Sequence, residues 1–414
     1  MNEKADVFDV VILGGGTVGI TLALSLVRNT PLSVAIVEPN VLSEAQDHPG
    51  FDSRCLALGQ NSFDYLADVI DSATFTHRDI EACPITHIQV SDQGYLGKCH
   101  LSAEEQHSAQ VGVVAPLHAI GNRLYTALKS AQESSSKLSL FCPATAESVE
   151  RNNDFATVAL STGERLQCRL LVLADGGRSS LKSTLGFDDH TQDYEQDAII
   201  ANVEFEQPHQ QWAYERFTQS GPLALLPLTL SGQEPQKAQR QFSLVWTVNR
   251  DDKQNNQRLL KDDKWFKQHL TAQVSAQLGR CVEVSERFVY PLSLRYAQNT
   301  HQHRCVVVGN AAQMLHPIAG QGFNLGIRDI QDLVITLSET DEANLGDWSC
   351  LSAYSKRRER DRKQVITTTD LLVHSFSNHH WPMVAGRNIG LMMMDATSGV
   401  KQQFARRAMG FRHG

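Results

Sequence analysis

The chain has no long apolar run, no paired-cysteine motif and no excess of positive charge, and each absence excludes a class of protein. In 414 residues, no stretch approaches the roughly 18 to 20 consecutive apolar residues that span a bilayer, so we expect no transmembrane helix. The eight cysteines are scattered without a C-x-x-C, which favours reduced thiols over a disulfide framework. With 38 basic and 46 acidic side chains, the net charge of −8 gives no global attraction for nucleic acid.

The first residues also lack the basic segment and cleavable apolar stretch of a secretory signal, so the sequence predicts a cytoplasmic protein. The composition that is present is typical of a globular protein, with 41% apolar residues and 27 glycines. At about 150 residues per domain, the length predicts two or three domains.

The first forty residues carry the clearest local pattern. Residues 10–13 form a short β-branched run typical of a buried strand, and glycines 14–16 follow it. A largely apolar helical stretch over 17–28 leads, after a Pro break, into a second strand over 32–37. Strand, glycine turn, helix and strand together predict a βαβ unit with parallel strands.

The rest of the chain gives a coarser pattern. Further predictions are an amphipathic helix over 116–133, apolar strands over 170–174 and 305–308, strands with many turns over 190–297, and helices from 326 almost to the end. The mixture predicts an α/β (α+β) fold.

Gly14, Gly16 and Gly19 occupy the positions that the G-x-G-x-x-G dinucleotide fingerprint requires. The first permits the tight turn, the second lets the backbone approach a pyrophosphate, and the third lets helix pack on strand. The helix that begins there offers unpaired N–H groups to phosphates. Glu38 ends the second strand, where its carboxylate can accept from a ribose hydroxyl. The alternative is a glycine-rich turn with no ligand, and the fingerprint alone does not separate NAD from FAD.

Two later segments indicate FAD rather than NAD, because they resemble motifs of a known flavoprotein family. Residues 174–179 resemble the D-G-x-x-S motif of the flavoprotein aromatic hydroxylases, the family of p-hydroxybenzoate hydroxylase. Residues 308–324 resemble the second flavin motif of that family, G-D-A-A-H-x-x-x-P-x-x-G-x-G. The three motifs occur in the family's order, so the resemblance covers essentially the whole chain.

Further segments resemble the ubiquinone-biosynthesis branch of this family, namely 49–54, 215–227, 309–326 and 386–392. Two positions depart from the wider family. Asn310 stands where that family has Asp, in agreement with the narrower branch, and Lys182 stands where the first motif usually ends in Arg. Because Lys is not a bidentate substitute for Arg, the resemblance leaves Lys182 without an assigned role.

The resemblance implies an FAD-dependent monooxygenase. In the family, NAD(P)H reduces FAD, O₂ adds to form a flavin C4a-hydroperoxide, and the distal oxygen passes to an electron-rich phenol ring. For the narrower branch the implied substrate is a polyprenylated phenol, 2-polyprenyl-6-methoxyphenol, in ubiquinone biosynthesis. The sequence has no second G-x-G-x-x-G, as expected in a family whose NAD(P)H has no Rossmann domain of its own. No metal is required.

Motifs and resemblance together indicate the cofactor-binding residues. Pro317, Gly320 and Gly322 are expected to pass their backbone close to the isoalloxazine, and the next helix to aim its N-terminus at the flavin. Arg54 and Asp175 match family residues that contact FAD and influence NAD(P)H, and cofactor contact is favoured for Arg54 over the alternative of a structural ion pair. The full set is Gly14, Gly16, Gly19, Glu38, Arg54, Arg123, Asp175, Gly309, Asn310, Pro317, Gly320, Gly322 and Asn324. Tyr214 and His316 are the candidates for polarising the phenol.

Other histidines and basic residues have plainer interpretations. His301, His303 and the pair 379–380 have no carboxylate or Cys at metal-ligand spacing, so we expect exposed side chains and no metal site. Residues 356–363 contain six basic side chains with Glu359 and Asp361. A solvated helix face with i,i+4 pairs is favoured there over a phosphate or partner patch.

From the resemblance we expect a discontinuous Rossmann-like FAD-binding domain (1–75, 109–185 and 298–340), an inserted mixed-sheet substrate domain (76–108 and 186–297) and a C-terminal helical region (341–414). The last region contains apolar residues at 381–384 and 389–394. It also carries positive charge at Arg387, Lys401, Arg406, Arg407 and Arg412. These features alone do not decide between two interpretations, and the polyprenyl substrate that the resemblance implies favours contact with the inner membrane face or with a lipid-handling partner in a ubiquinone-biosynthesis complex. The alternative is a packed helix that caps the FAD-binding domain.

Three other functions are open at this point. The same chemistry could act on another aromatic or isoprenoid substrate, or the chain could be a non-catalytic flavin-binding subunit of an assembly. An NAD-dependent dehydrogenase is disfavoured, because residues 305–326 would then have no purpose.

Overall fold

The computed structural model describes residues 6–42, 54–229, 234–274, 276–377 and 381–410. Its helices are α1 (Thr17–Asn29), α2 (Gln60–Ile70), α3 (Leu117–Ser134), α4 (Leu181–Thr184), α5 (Pro235–Ala238), α6 (Lys253–Lys261), α7 (Asp263–Gln273), α8 (Gln321–Ser338), α9 (Trp348–Ser377), α10 (Trp381–Ala396) and α11 (Ser398–Ala408). Its strands are β1 (Asp6–Leu13), β2 (Val34–Val37), β3 (Cys55–Gly59), β4 (Cys83–Ile85), β5 (His87–Asp92), β6 (Lys98–Ser102), β7 (Gly112–Pro116), β8 (Leu138–Phe141), β9 (Ala146–Arg151), β10 (Ala156–Leu160), β11 (Arg165–Leu173), β12 (Asp189–Phe205), β13 (Trp212–Thr218), β14 (Gly221–Pro227), β15 (Gln241–Asn249), β16 (Cys281–Val284), β17 (Phe288–Ala297), β18 (His301–Gln302), β19 (Cys305–Val307) and β20 (Gln313–Met314).

The first sheet has a parallel centre built from the apolar runs of the sequence. Its order is β18-β19-β11-β1-β2-β8, and β1 pairs in parallel with both β2 and β11. Residues 10–13 are almost completely buried, and Val10 and Ile12 share their core with buried apolar residues of α1, α3 and α8. Burying such a side chain stabilises the fold by about 1.5–3 kcal/mol. The predicted βαβ unit is confirmed, and the carboxyl ends of these strands share one edge.

The second sheet is mostly antiparallel, with the order β20-β17-β12-β15-β14-β13-β5-β6. One face packs against α6 and α7 through a core that includes Trp246 and Phe266. The prediction of strands and turns throughout 190–297 is wrong over these two helices. Each helix begins at an Asp N-cap: Asp252 accepts from Asn255 N and Asp262 accepts from Trp265 N. An Asp cap followed by apolar residues on one helical face was the signal for them.

A third, smaller sheet joins β3, β7 and β4. Residues 76–108 therefore contribute to two sheets. Strand β4 belongs to this small sheet, whereas β5 and β6 extend the second sheet. The short β20, from the second flavin motif, also pairs with β17 of the second sheet. The three-part division of the chain stays a prediction.

The C-terminal helices are fastened by buried polar contacts. Arg358 on α9 contacts Asp329 and Asp332 of α8 at 2.7 and 3.3 Å, with the side chains at most 2% exposed. Arg387 on α10 pairs with Asp92 of β5 at 2.7 Å, and the neighbouring Asn388 also donates to that carboxylate. Helix α10 therefore packs against the β5–β6 hairpin of the second sheet, whereas α9 packs against α8. Within the described ranges, no helix combines the length and the apolar character needed to cross a membrane.

Candidate functional site

A cavity of about 1380 Å³ is lined by residues of all three sheets and of helices α8 to α11. The carboxyl ends of β1 and β2 open into it through Leu13 and Val37. In α/β proteins, ligands bind outside the carboxyl ends of parallel strands. Pockets for drug-sized ligands measure about 300–1,000 Å³, so this cavity has room for a large cofactor and a second molecule.

The three fingerprint glycines differ in what surrounds them. Gly14 has φ +114°, and a Cβ there would lie 2.7 Å from Ala174 O. A Cβ on Gly19 would lie 1.9 Å from Gly14 O, so this glycine allows α1 to approach the strand. A Cβ on Gly16 would meet no protein atom within 4 Å and would project into the cavity that Gly16 lines. Gly14 and Gly16 border the cavity, whereas Gly19 is a packing residue behind it.

Glu38 fixes the shape of the glycine loop from the end of β2. Its side chain is buried and accepts from Gly15 N at 2.6 Å and from both Asn40 N and Asn40 Nδ2 at 2.9 Å. The residue also lines the cavity. The carboxylate therefore organises the loop and is placed where a ribose hydroxyl could reach it.

The Asp-Gly-Gly-Arg-Ser segment after β11 is a turn held by its own carboxylate. Asp175 accepts from Gly177 N at 2.9 Å and from Ser179 N at 3.0 Å. Gly176 has φ +71° and, like Gly16, open space where a Cβ would stand. Lys182 lies outside the cavity lining and forms a salt bridge with Asp189. Burial lowers the pKa of Lys182. The salt bridge with Asp189 gives Lys182 a structural role that needs no contact with the cofactor.

The second flavin motif surrounds the N-terminus of α8. Gly309 and Gly320 both have φ +59°, and a Cβ on Gly322 would meet no protein atom within 4 Å. Asn310 lines the cavity with an exposed side chain, to which no residue of the described ranges donates or accepts a hydrogen bond. Pro317, Gly320 and Gly322 border the same space. An 18-residue helix therefore points its unpaired N–H groups into the cavity.

Two predicted binding residues have their polar groups engaged elsewhere in the protein. Asn324 lines the cavity, but its Oδ1 accepts from Gly59 N at 2.8 Å and its Nδ2 donates to Ala57 O and Gly320 O. The structure thus places Asn324 as a brace between β3 and the flavin motif. Arg123 is absent from the cavity lining and pairs with Asp79 at 3.2 Å.

Arg54 does line the cavity, and its guanidinium lies 5.4 Å from the centre of the Tyr290 ring. Its backbone oxygen accepts from Leu117 N, which fixes the start of β3 beside α3. The preceding residues 49–53 of the branch-specific motif lie outside the described residues.

The second sheet supplies the other wall. Tyr214 lines the cavity, and burial raises the pKa of its phenol, which keeps the hydroxyl protonated at neutral pH. His316 is absent from the lining and is 1% exposed. Burial lowers its pKa to about 4, so the ring is neutral and packs edge-on against Tyr194. Tyr214 is thus the better placed of the two candidates for contact with a substrate.

Most of the apolar lining was not predicted from the sequence. One face of β12, β14 and β15 contributes Ile200, Ala224, Leu226, Ser243 and Val245. The opposite face of β15, including Trp246, packs against α6 and α7. Alternation along these strands was the available signal, since successive side chains point to opposite faces. Helices α9, α10 and α11 add Leu371, Leu372, Leu391, Met394 and Phe404 to the lining.

The histidines considered as metal ligands are engaged in other contacts. The ring of His301 packs against Trp348, and His303 Nε2 lies 2.9 Å from Asn152 O. Residues 379–380 lie outside the described part of the chain. In the part that is described, no group of three or more His, Cys, Asp or Glu side chains is arranged to hold a metal ion.

These features fit FAD. Three glycines leave open space along the cavity wall, two helix N-termini face it, and Asn310 offers an unused amide. Anionic and hydrogen-bonding portions of a dinucleotide are stabilised by such groups.

Comparison with known proteins agrees with this geometry. The family model for the FAD binding domain matches residues 7–369. The ubiquinone hydroxylase UbiL of Rhodospirillum rubrum is 33% identical over 411 residues, covering 98% of this chain and 90% of that protein. The 3-demethoxyubiquinol 3-hydroxylase of Escherichia coli is 27% identical, with 97% and 98% covered.

Among solved structures, the p-nitrophenol 4-monooxygenase PnpA of Pseudomonas putida superposes with a TM-score of 0.76, at 17% identity and with 99% and 100% of the two chains covered. That likeness shows the fold. The family match and the 33% identical relative go further. The chain belongs to the FAD binding domain family and is an FAD-dependent monooxygenase.

Proposed function

We propose that this monooxygenase hydroxylates the aromatic ring of a polyprenylated phenol in ubiquinone biosynthesis, with 2-polyprenyl-6-methoxyphenol as the specific substrate and NAD(P)H as electron donor. The observation that carries the proposal is the shape of the cavity. One space extends from the glycine loops to an apolar wall formed by the second sheet and α9 to α11. A dinucleotide suits the first part and an aromatic ring with an isoprenoid tail suits the second.

The names of two relatives support the substrate class. UbiL is a ubiquinone hydroxylase, and the Escherichia coli relative hydroxylates a demethoxyubiquinol. Both are aligned with this chain over nine-tenths or more of its length, so the second sheet and C-terminal helices are included in the similarity.

The residues divide the binding of FAD among them. Gly16 and the N-terminus of α1 would hold the pyrophosphate, and Glu38 a ribose hydroxyl. Asn310 and the N-terminus of α8 would hold the flavin portion, with Gly320 and Gly322 giving close backbone approach. When bound and reduced, FAD supplies the activation of O₂ for transfer to the ring. The positive end of α8 would stabilise negative charge on the cofactor by about 1 kcal/mol.

The remaining work of the chain is to orient the phenol and exclude water. Tyr214 would donate a hydrogen bond from its protonated hydroxyl to the substrate oxygen. The strand residues Ile200, Leu226 and Val245 form the apolar wall around the ring. Such a dry environment strengthens each hydrogen bond inside it.

Purified protein tests the proposal directly. We expect it to hold FAD and to consume O₂ with NAD(P)H when the prenylated phenol is added, yielding one hydroxylated product per turnover. A strain without the gene should accumulate the unhydroxylated precursor. Consumption only with a different aromatic compound would overturn the substrate. Bound FAD without any substrate-dependent consumption would favour a subunit of an assembly instead.

We also propose that the enzyme meets its lipid substrate at a membrane surface, through α10 and the β5–β6 hairpin. Ile389, Met392 and Met393 of α10 are 52–62% exposed, and Leu96 at the hairpin tip is 88% exposed. The two elements adjoin, since Gly97 N donates to Asn388 Oδ1. We call Tyr95, Leu96, Ile389, Met392 and Met393 the apolar surface. A polyprenyl chain partitions into lipid at about 0.8 kcal/mol per CH₂, so the enzyme has to reach it there.

Two of the positive charges predicted to attract headgroups are engaged within the protein. Arg387 is paired with Asp92, and Lys401 contacts Glu105 at 2.9 Å and Asp395 at 3.6 Å. Their role is to fasten α10 and α11. Of the others, Arg406 is exposed, whereas the Arg407 side chain and Arg412 lie outside the described parts of the chain. Among the described side chains near this surface, Arg406 and Lys98 beside the hairpin tip are exposed cations that could attract anionic lipid.

A further inference from the structure

The basic segment of α9, residues 356–363, is not a uniform solvated face. Arg358 is buried against the acidic side chains of α8. Arg362 donates to Gln313 Oε1 at 2.9 Å and to two backbone carbonyls. Arg357 pairs with Glu339. Three of the six cations therefore fasten α9 to its neighbours, and Lys356, Arg360 and Lys363 point outward.

Arg360 differs from the two lysines in lining the cavity. Its side chain is exposed, and no residue in the described ranges forms an ion pair or hydrogen bond with it. Arg357, one turn earlier, lines the cavity as well, but its charge is offset by Glu339. The acidic neighbour Asp361 has its charge offset by Arg358 at 2.7 Å and Arg328 at 3.0 Å. The cavity thus has a positive rim at this point.

The rim leads toward the flavin side of the cavity. Gln364, one turn after Arg360, also lines the cavity, and the adjoining Val365 packs against the apolar cluster that includes Leu325 in the first turns of α8. Gln321 and Gly322, at the start of α8, border the same space. A ligand whose reactive ring lay near Gly322 could therefore extend along α9 and place an anionic portion at Arg360.

We propose that Arg360 binds the phosphate groups of the NAD(P)H that reduces the flavin. The inference rests on the proposed function, which requires such a donor. With no second glycine loop in the sequence, the phosphates need cationic side chains, and the planar guanidinium matches phosphate oxygens in bidentate fashion. The ligand loses one hydride, with two electrons, to the bound FAD and leaves as NAD(P)⁺.

The experiment compares Arg360→Ala, Arg360→Lys and Lys363→Ala in the FAD-loaded protein. Lys363 is the matched control, since it is an exposed cation on the same helix outside the cavity. Anaerobic reduction of the flavin by NADPH is followed at increasing NADPH, together with binding of NADP⁺ by calorimetry. We expect Arg360→Ala to raise both dissociation constants roughly tenfold or more, Arg360→Lys to recover part of the loss, and Lys363→Ala to change neither.

Three controls separate this inference from the proposed function. Flavin content and melting temperature should match wild type in all variants. Dithionite-reduced Arg360→Ala, mixed with O₂ and substrate, should hydroxylate normally, because chemical reduction bypasses the donor. Equal losses in Arg360→Ala and Lys363→Ala would overturn the site, and so would unchanged NADP⁺ binding. If NAD(P)H cannot reduce the wild-type flavin but an acidic electron-carrier protein can, then NAD(P)H is not the ligand of Arg360. The proposed hydroxylation would be unaffected by that result.

Discussion

Asp329 of α8 accepts a hydrogen bond from Gly309 N at 3.0 Å with one carboxylate oxygen and binds Arg358 of α9 at 2.7 Å with the other. The same carboxylate also accepts from Gln313 Nε2. Both charged side chains are at most 2% exposed. The start of the second flavin motif is therefore held in place by a buried ion pair that reaches into the C-terminal helices.

Arg358→Met should consequently destabilise the protein and weaken FAD binding together. Removing one partner leaves an unpaired buried carboxylate, at a cost of about 3–5 kcal/mol. Urea unfolding and FAD titration measure the two effects. Arg28→Met is the matched control, because the Arg28–Asp68 pair is 51% and 66% exposed and such pairs contribute about 1 kcal/mol or less. Equal stability of the two variants would contradict the role given to Arg358.

The glycine loop allows cofactor binding to be separated from folding. Gly16→Val should abolish FAD binding while leaving the unfolding free energy of the apoprotein nearly unchanged, since the added side chain projects into the cavity. Gly19→Ala should destabilise even the apoprotein, because its Cβ would stand 1.9 Å from Gly14 O. Thermal melts with and without FAD distinguish these results. Stoichiometric flavin in Gly16→Val would show that the loop does not approach the pyrophosphate.

The two asparagines of the flavin motif should respond in opposite ways. Asn310→Leu should weaken FAD binding, because a cofactor hydroxyl loses its partner at about 1–3 kcal/mol, while Asn310→Asp should be tolerated. Asn324→Leu should lower the stability of the apoprotein, because it leaves Gly59 N and Ala57 O unpaired. Equilibrium dialysis and urea unfolding separate the effects. Unchanged FAD affinity in Asn310→Leu would remove that residue from the site.

The sequence predicted the parts of the fold and site that depend on local geometry. The βαβ unit and the positions of Gly14 and Glu38 follow from short-range patterns, because a glycine turn and an apolar strand restrict the backbone wherever they occur. The roles of Asn324 and Arg123 could not be predicted in this way. Their partners, Gly59 and Asp79, lie 265 and 44 residues away in sequence, and only the packing of the sheets brings them together.

The sequence predicted least well which charged side chains are buried and paired, because a charged residue type does not show whether its side chain is buried. Residues 356–363 include the buried Arg358, which pairs with Asp329, and the exposed Arg360, which lines the cavity. Arg387 forms a buried ion pair with Asp92 and is not a surface charge. The helices α6 and α7 were obscured for a different reason. They are short and polar on one face, and the strands around them dominate the pattern of 190–297.

Acidification should destabilise the protein through His316. Burial lowers the pKa of this ring to about 4, so the folded state stays neutral while the unfolded state takes up a proton below its ordinary pKa of about 6.5. Stability is therefore lost as pH falls from about 6.5 toward 4, by roughly 2 kcal/mol at pH 5. His316→Phe should reduce this loss in urea unfolding at pH 7 and pH 5, whereas His303→Gln, at an exposed site, should not. An unchanged pH dependence in His316→Phe would contradict the assignment.

The apolar surface makes a prediction that point variants test better than truncation. Removing residues 381–414 would also remove Arg387 and expose Asp92 in the second sheet, so a loss of binding could reflect a damaged sheet. Leu96→Glu and Met392→Glu leave those contacts in place. Each puts a carboxylate where an apolar side chain would enter the headgroup region, and each should reduce binding to anionic vesicles severalfold. Trp348→Glu is the matched control, since Trp348 is 69% exposed but lies at the start of α9, outside the apolar surface. Co-sedimentation at low and high salt, with FAD content measured in each sample, gives the answer. The membrane proposal is wrong if both surface variants sediment with vesicles as well as Trp348→Glu while all three retain flavin.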